Sequence, residues 1–223
     1  MEAEKSTSNQ IMDIRSQSLG EEITNSVLHG IGAIFSIVAL ILLILHSISL
    51  HSIAYIISYT IFGSSLILLY CLSTLHHSIS GKRAKHVFLV LDYAAIYILI
   101  AATFTPFLAA ILGLKNTLNI VLLIVIWILA ITGITLSSVF SKRIKTIAPA
   151  FYIPMGWLAV FILKPLQQSA GTQAVTLLIA GGVAYSLGTY FYLNDHKKYH
   201  HAIWHIFVLI GSALHVISLL GIR

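Results

Sequence analysis

The sequence has very little charge. Of its 223 residues only 9% are Asp, Glu, Lys or Arg, and the acids number just seven. A water-soluble globule of this size needs more polar surface than that, which excludes a soluble enzyme or a soluble binding module. Cysteine is nearly absent as well. The single residue Cys71 rules out an intramolecular disulfide framework and any multi-cysteine zinc or iron–sulfur site, and it reads as helix packing. The formal net charge is +6, but the basic residues sit in short clusters between apolar runs, with no basic domain and no aromatic–basic stripe. Nucleic acid is therefore not an expected partner.

What the sequence has in abundance is apolar. Hydrophobic residues make up 58% of the chain and mean hydropathy is +0.94. Such a chain belongs in a bilayer, where each helical crossing takes about 20 apolar residues. Apolar segments fall at 24–45, 52–77, 88–111, 117–138, 148–165, 172–193 and 201–221, separated by turns carrying Gly, Lys, Arg, Asn and Asp. The expected fold is all-α and polytopic: a seven-transmembrane-helix bundle over residues 21–223, following a polar tail over 1–20. That tail has no apolar core of the signal-peptide kind and reads as flexible or interfacial. Irregular helices are expected at Pro106 in the third segment and at Pro149 and Pro154 in the fifth, which is the weakest of the seven.

Lys and Arg give the orientation. Ten of the thirteen fall on one side: Lys5, Arg15, Lys82, Arg83, Lys85, Lys142, Arg143, Lys145, Lys197 and Lys198. Only Lys115, Lys164 and Arg223 fall on the other. Positive flanks stay on the cytoplasmic side, so the N-terminus is expected in the cytoplasm and the C-terminus outside.

Four groups of polar residues interrupt the apolar pattern: Glu22, Asn25 and His29; Ser73, His76 and His77; Asp92; and His201 with His205. An ionisable group in a span is costly and needs a partner, a cavity or a function. Because successive helices alternate in direction, the starts of helices 1, 3 and 7 and the end of helix 2 share one membrane face, so all four groups converge there. His201 and His205 are four residues apart and point the same way from successive turns, as two nitrogen ligands to one metal do. Glu22, Asn25 and His29 likewise share a helix face by their spacing of three and four.

Ordinary readings stand beside these. Glu22 and Asn25 suit a helix start at the headgroups, where a carboxylate meets the positive end of the helix dipole. Ser73 suits a bond to its own helix carbonyl or, one turn before His77, a contact that supports a ligand. Either His76 or His77 suits the headgroup region, and Asp92 suits an ion pair. His46, His51, His86, His196 and His200 lie in or beside turns and read as solvated surface. His215 lies about 15 Å beyond His205 along the helix, too far to share one metal ion, and reads as a buried histidine bonded to a neighbouring helix, with a deeper polar cavity as the alternative.

The stretches EEITNSVLHGIG, STLHH, KHVFLVLDYAAIYILIAATFTPF and HAIWHIFVLIGSALH, in this order over helices 1, 2, 3 and 7, resemble the haemolysin III family of bacterial membrane proteins. That family is similar to the progestin and adipoQ receptors, which include the adiponectin receptors, and more distantly to the alkaline ceramidases. The resemblance implies a multi-pass protein of the bacterial plasma membrane with a zinc ion near the cytoplasmic face, bound by His77, His201 and His205. It places Asp92 close to the metal's water and Ser73 beside the ligands. One departure is that His76 stands where the family usually has tyrosine, next to the expected ligand; the Ser73-to-His77 spacing, which puts both on one face, favours His77.

Three neutral histidines with an open fourth position describe a catalytic zinc. The implied activity is hydrolysis of a lipid amide or ester, with membrane lipids as surroundings and an acyl chain as substrate. The rival expectations are a non-enzymatic sensor or a membrane-permeabilising protein with a structural zinc site and, third, a transporter relaying protons through Asp92.

Overall fold

A computed structural model describes residues 17–140 and 144–222. The expected polar tail rests mostly on residues 1–16, and part of the charge asymmetry on Lys5, Arg15, Lys142, Arg143 and Arg223; these lie outside the described residues.

In hydrocarbon a backbone must satisfy its own N–H and C=O groups, and an apolar run does so by coiling into a helix. Among the described residues there is no strand, and there are seven α-helices: α1 (Leu19–Ser49), α2 (Ile53–Ser78), α3 (Lys82–Thr105), α4 (Thr117–Val139), α5 (Ile144–Trp157), α6 (Leu163–Leu193) and α7 (His200–Leu220). Their order and number match the seven expected segments. Six are long and apolar enough to cross a membrane; the exception is α5. Its apolar stretch, Ala148–Phe161, is shorter than the others and holds Pro149 and Pro154. Each proline removes a backbone donor, and the helix tightens to a 3-10 turn at Leu158–Phe161. The segment expected to span over 148–165 is thus present as a helix but falls short of the length of its neighbours.

The other expected irregularity is also found. At Pro106 helix α3 passes into a π-helix, Pro106–Ile111, which carries the chain onward without the missing donor. Helix α6 bends at Gly171, whose φ of +82° is one that glycine adopts at little cost. The long straight part of α6 therefore starts where the sixth apolar segment was expected, at residue 172.

Helix α1 starts earlier than expected. Ser18 caps it: its side chain accepts from the Glu21 backbone N–H, and the Glu21 carboxylate answers to the Ser18 backbone, a reciprocal capping box. The result is a helix whose first turn already contains Leu19 and Gly20.

Helix α1 lies against both α2 and α7; α2 continues to α3, α3 to α4, and α7 is paired with α6. Small residues permit these approaches, as expected for helices that gain no hydrophobic energy by leaving lipid. The ring of Tyr70 occupies the space a Cβ on Gly32 would need, 2.4 Å away, and the ring of His215 does the same at Gly181. Interhelical hydrogen bonds add to the packing: Tyr59 donates to the Leu219 carbonyl (3.0 Å) and Tyr70 to Ser212 Oγ (2.8 Å). Each is worth about 0.6 kcal/mol in a bilayer.

Candidate metal centre

The end of α2 and the start of α7 meet at one end of the bundle. There His77 comes from α2 and His201 and His205 from successive turns of α7. One ligand atom from each of the three lies within 4.8 Å of the others. Ring centroids are 5.2 Å apart for His77 and His201, 5.0 Å for His77 and His205, and 4.6 Å for His201 and His205. No further His, Cys, Asp or Glu among the described residues joins that group.

Hydrogen bonding prepares His77 to bind a cation. Its Nδ1 donates to Glu22 Oε2 over 2.8 Å, and the other Glu22 oxygen accepts from Lys85 Nζ over 2.7 Å. With the proton on Nδ1, the Nε2 lone pair faces the cluster, and that buried atom has no hydrogen-bond partner. Nδ1 of His205 is a second buried nitrogen without a partner. Leaving such atoms unsatisfied is expensive, and a cation held between them removes the cost. The donor set of three imidazoles suits zinc, with copper, iron and nickel also compatible in ligand type.

His76 takes a different course. Its Nδ1 pairs with the Lys85 carbonyl at 3.1 Å, which holds the ring toward α3 and out of the three-histidine group. Asp92 is half-buried on α3 and lines the same cavity as the histidines, without being one of the grouped donors. The buried hydroxyl of Ser73 faces the Asp92 carboxyl but does not meet hydrogen-bond geometry. Beside them the hydroxyls of Tyr93 and Tyr192 bond to each other in the cavity wall.

On α1 the buried stripe runs through Glu21, Asn25 and His29, with Glu22 at its flank reaching across to α2 and α3. Spacing alone put Glu22 on the stripe. Glu21 was missed, although Ser18-Leu19-Gly20-Glu21 is a legible capping-box pattern and marks where the helix begins. Its Oε1 accepts the backbone N–H of Tyr199, at the entry to α7, over 2.9 Å. His29 stacks on His205 and meets Tyr70 edge-on.

From the histidines a cavity of about 490 Å³ runs into the bundle, within the ~300–1,000 Å³ usual for ligand sites. Its mouth carries Lys82, Lys85 and His86, and its body is apolar, with Leu99, Phe104, Phe107, Ile162 and Leu178. His215 lies in the wall of this deeper part and, as expected, bonds to a neighbouring helix, through Nε2 to the Leu178 carbonyl of α6 at 3.2 Å.

The family model described as haemolysin-III related matches residues 17–216, which reaches into every helix and takes in all of the site. The chain belongs to the haemolysin III family. It is 47% identical over 196 residues to a Hemolysin-3 homolog of Bacillus subtilis strain 168, covering 88% of this chain and 91% of that one. To Hemolysin-3 of Bacillus cereus it is 44% identical over 198 residues, covering 89% and 90%. A more distant relative is the Heptahelical transmembrane protein ADIPOR2 of Oryza sativa subsp. japonica, 29% identical over 157 residues, covering 62% and 69%. This haemolysin III protein is thus related to the adiponectin-receptor-like proteins. The bacterial relatives and the six membrane-length helices make it a multi-pass plasma-membrane protein.

Proposed function

We propose that this haemolysin III protein is a zinc-dependent hydrolase that cleaves a lipid amide or ester within the membrane. The observation that carries this reading is the placement of three convergent histidines at the polar mouth of an otherwise apolar cavity. His77, His201 and His205 would hold the metal at the mouth of the cavity. Zinc bound there supplies Lewis acidity and activates a water near neutral pH.

The chain's own groups do the rest. The apolar cavity takes an acyl chain and fixes the scissile carbonyl at the mouth. The Asp92 carboxylate takes a proton from the attacking water and returns it to the departing nitrogen or oxygen, with Ser73 facing it. Water is added across the C–N or C–O bond, giving a carboxylic acid and an amine or alcohol.

The wall between α5 and α6 favours entry from lipid. Ile153, Trp157 and Val160 line the cavity and are also exposed on the outer surface. Gly156 and Gly182, also in the wall, have open space where a side chain would begin, and a bond of 3.1 Å from Trp157 Nε1 to Ser186 Oγ closes part of the gap.

The seven-span arrangement with a cytoplasmic N-terminus is part of the same reading. It is supported by the ten-to-three distribution of basic residues and by the word heptahelical in the rice relative's name. Helix α5 then crosses together with the first turns of α6, before the bend at Gly171.

The test is release of free fatty acid from a panel of lipid amides and esters by the purified, zinc-loaded protein. Zinc-replete protein that cleaves none of them sinks the hydrolase reading. The name Hemolysin-3 of the Bacillus cereus relative favours a second reading, a membrane-permeabilising protein braced by zinc. That reading expects dye release from vesicles to survive Asp92→Ala, provided zinc is retained.

A further inference from the structure

Helix α1 contributes none of the three grouped histidines, yet its first turns touch the elements that carry all of them. Glu22 accepts from Nδ1 of His77, the α2 histidine, at 2.8 Å and from Lys85 of α3 at 2.7 Å. Glu21, its neighbour in sequence, accepts from the Tyr199 backbone at 2.9 Å, two residues before His201. Tyr199 has φ +61°, a left-handed conformation that a tyrosine holds only when its surroundings fix it. Both the carboxylate on its N–H and the approach of its hydroxyl to α1, 3.3 Å from where a Cβ on Gly20 would stand, supply that fixing. Consecutive helical residues point about 100° apart, so one carboxylate can serve α7 while the next serves α2 and α3.

We infer that Glu21 and Glu22 are positioning residues for the metal ligands. Glu22 sets the tautomer and ring angle of His77, and Glu21 sets the turn from which His201 and His205 project. The pair turns the amino end of α1 into a template that holds α2, α3 and α7 in register around the cation. This rests on the metal-binding reading above. The two carboxylates act through hydrogen bonds to residues that other helices carry, which distinguishes them from ligands.

The experiment is zinc affinity, by chelator competition on the purified full-length protein in detergent, for wild type, Glu21→Ala, Glu22→Ala and Glu22→Gln. Loss of an outer partner of a ligating histidine typically weakens metal binding 10–100-fold, and both alanine variants are expected in about that range. Glu22→Gln keeps one acceptor and is expected between wild type and Glu22→Ala, and it serves as the readout where the alanine variant fails to fold. The visible band of the cobalt-loaded protein is expected to shift in the Glu22 variants, which a change in stability alone does not produce. Folded Glu21 and Glu22 variants with wild-type affinity and an unshifted cobalt band overturn this inference and leave the metal site standing. A wild-type protein that takes up no stoichiometric zinc overturns both.

Discussion

The imidazole of His29 lies face to face with that of His205, with ring centroids 3.6 Å apart and planes within 18°. The contact joins α1 to α7 in the interior, where His205 is 1% exposed and both nitrogens of His29 lack a hydrogen-bond partner. His29 is thus held by its ring face and by the edge contact with Tyr70, and it covers one face of the His205 ring. Replacing it tests that constraint. His29→Ala is expected to cost about 1 kcal/mol of ligand ordering, or roughly fivefold in zinc affinity. His29→Phe keeps the stack and is expected to recover most of the loss. Titration with a competing chelator measures both, and equal affinities for Ala, Phe and wild type would show that the stack has no bearing on the site.

Asp92 separates the catalytic reading from the bracing one. It lines the cavity without belonging to the three-histidine group, so Asp92→Ala should keep its zinc. Turnover of a lipid amide or ester should fall by about 10²–10⁴-fold, the usual contribution of a positioned base. Metal content and fatty-acid release measured on the same sample decide it; unchanged turnover removes Asp92 from the chemistry.

Gly32 and Gly181 each leave room for a ring from the neighbouring helix. Adding a methyl at either brings it to 2.4 Å from a ring, Tyr70 in one case and His215 in the other. Overpacking of this kind costs about 1–3 kcal/mol. Gly32→Ala and Gly181→Ala should each lower the unfolding temperature in detergent. Gly32→Ala should also weaken zinc binding, because Tyr70 abuts His29. Gly156→Ala, where the Cβ meets nothing within 4 Å, is the control and should leave stability near wild type.

Topology can be read with reporters that act on only one side of the membrane. The proposed orientation puts Lys82, Arg83 and Lys85 with the metal site on the cytoplasmic side, and Lys115 on the far side. A cysteine introduced at Ser80 is then expected to be labelled only from the cytoplasmic side, and one at Asn116 only from outside. The opposite labelling pattern would invert the orientation and put the histidines outside.

Much of the fold was legible because in lipid the hydrophobic run is itself the helix: six of the seven expected segments are membrane-length helices near the expected positions. Helix α5 was the weak one for a reason also visible in the sequence, its two prolines. His201 and His205 were legible as a pair from their i, i+4 spacing, and the alternation of helix direction brought the α2 histidines to the same face; that His77 is the third member came from the resemblance to the haemolysin III family. What spacing could not supply was the rotation of α1. A stripe through Glu22 and one through Glu21 differ by a single residue, and the choice is made by Ser18, which sets the start of the helix, and by Tyr199, 178 positions away in sequence. Between His76 and His77 the spacing from Ser73 favoured His77, and the Lys85 carbonyl, a tertiary contact, is what holds His76 aside.

The most direct measurement is elemental analysis of the purified protein beside its His205→Ala variant. The expected result is zinc at a one-to-one ratio with the chain in wild type and its loss in the variant, with both proteins folded. Wild-type protein free of stoichiometric metal after metal-replete expression, or a His205→Ala variant that keeps its zinc in full, would contradict the assignment of this site.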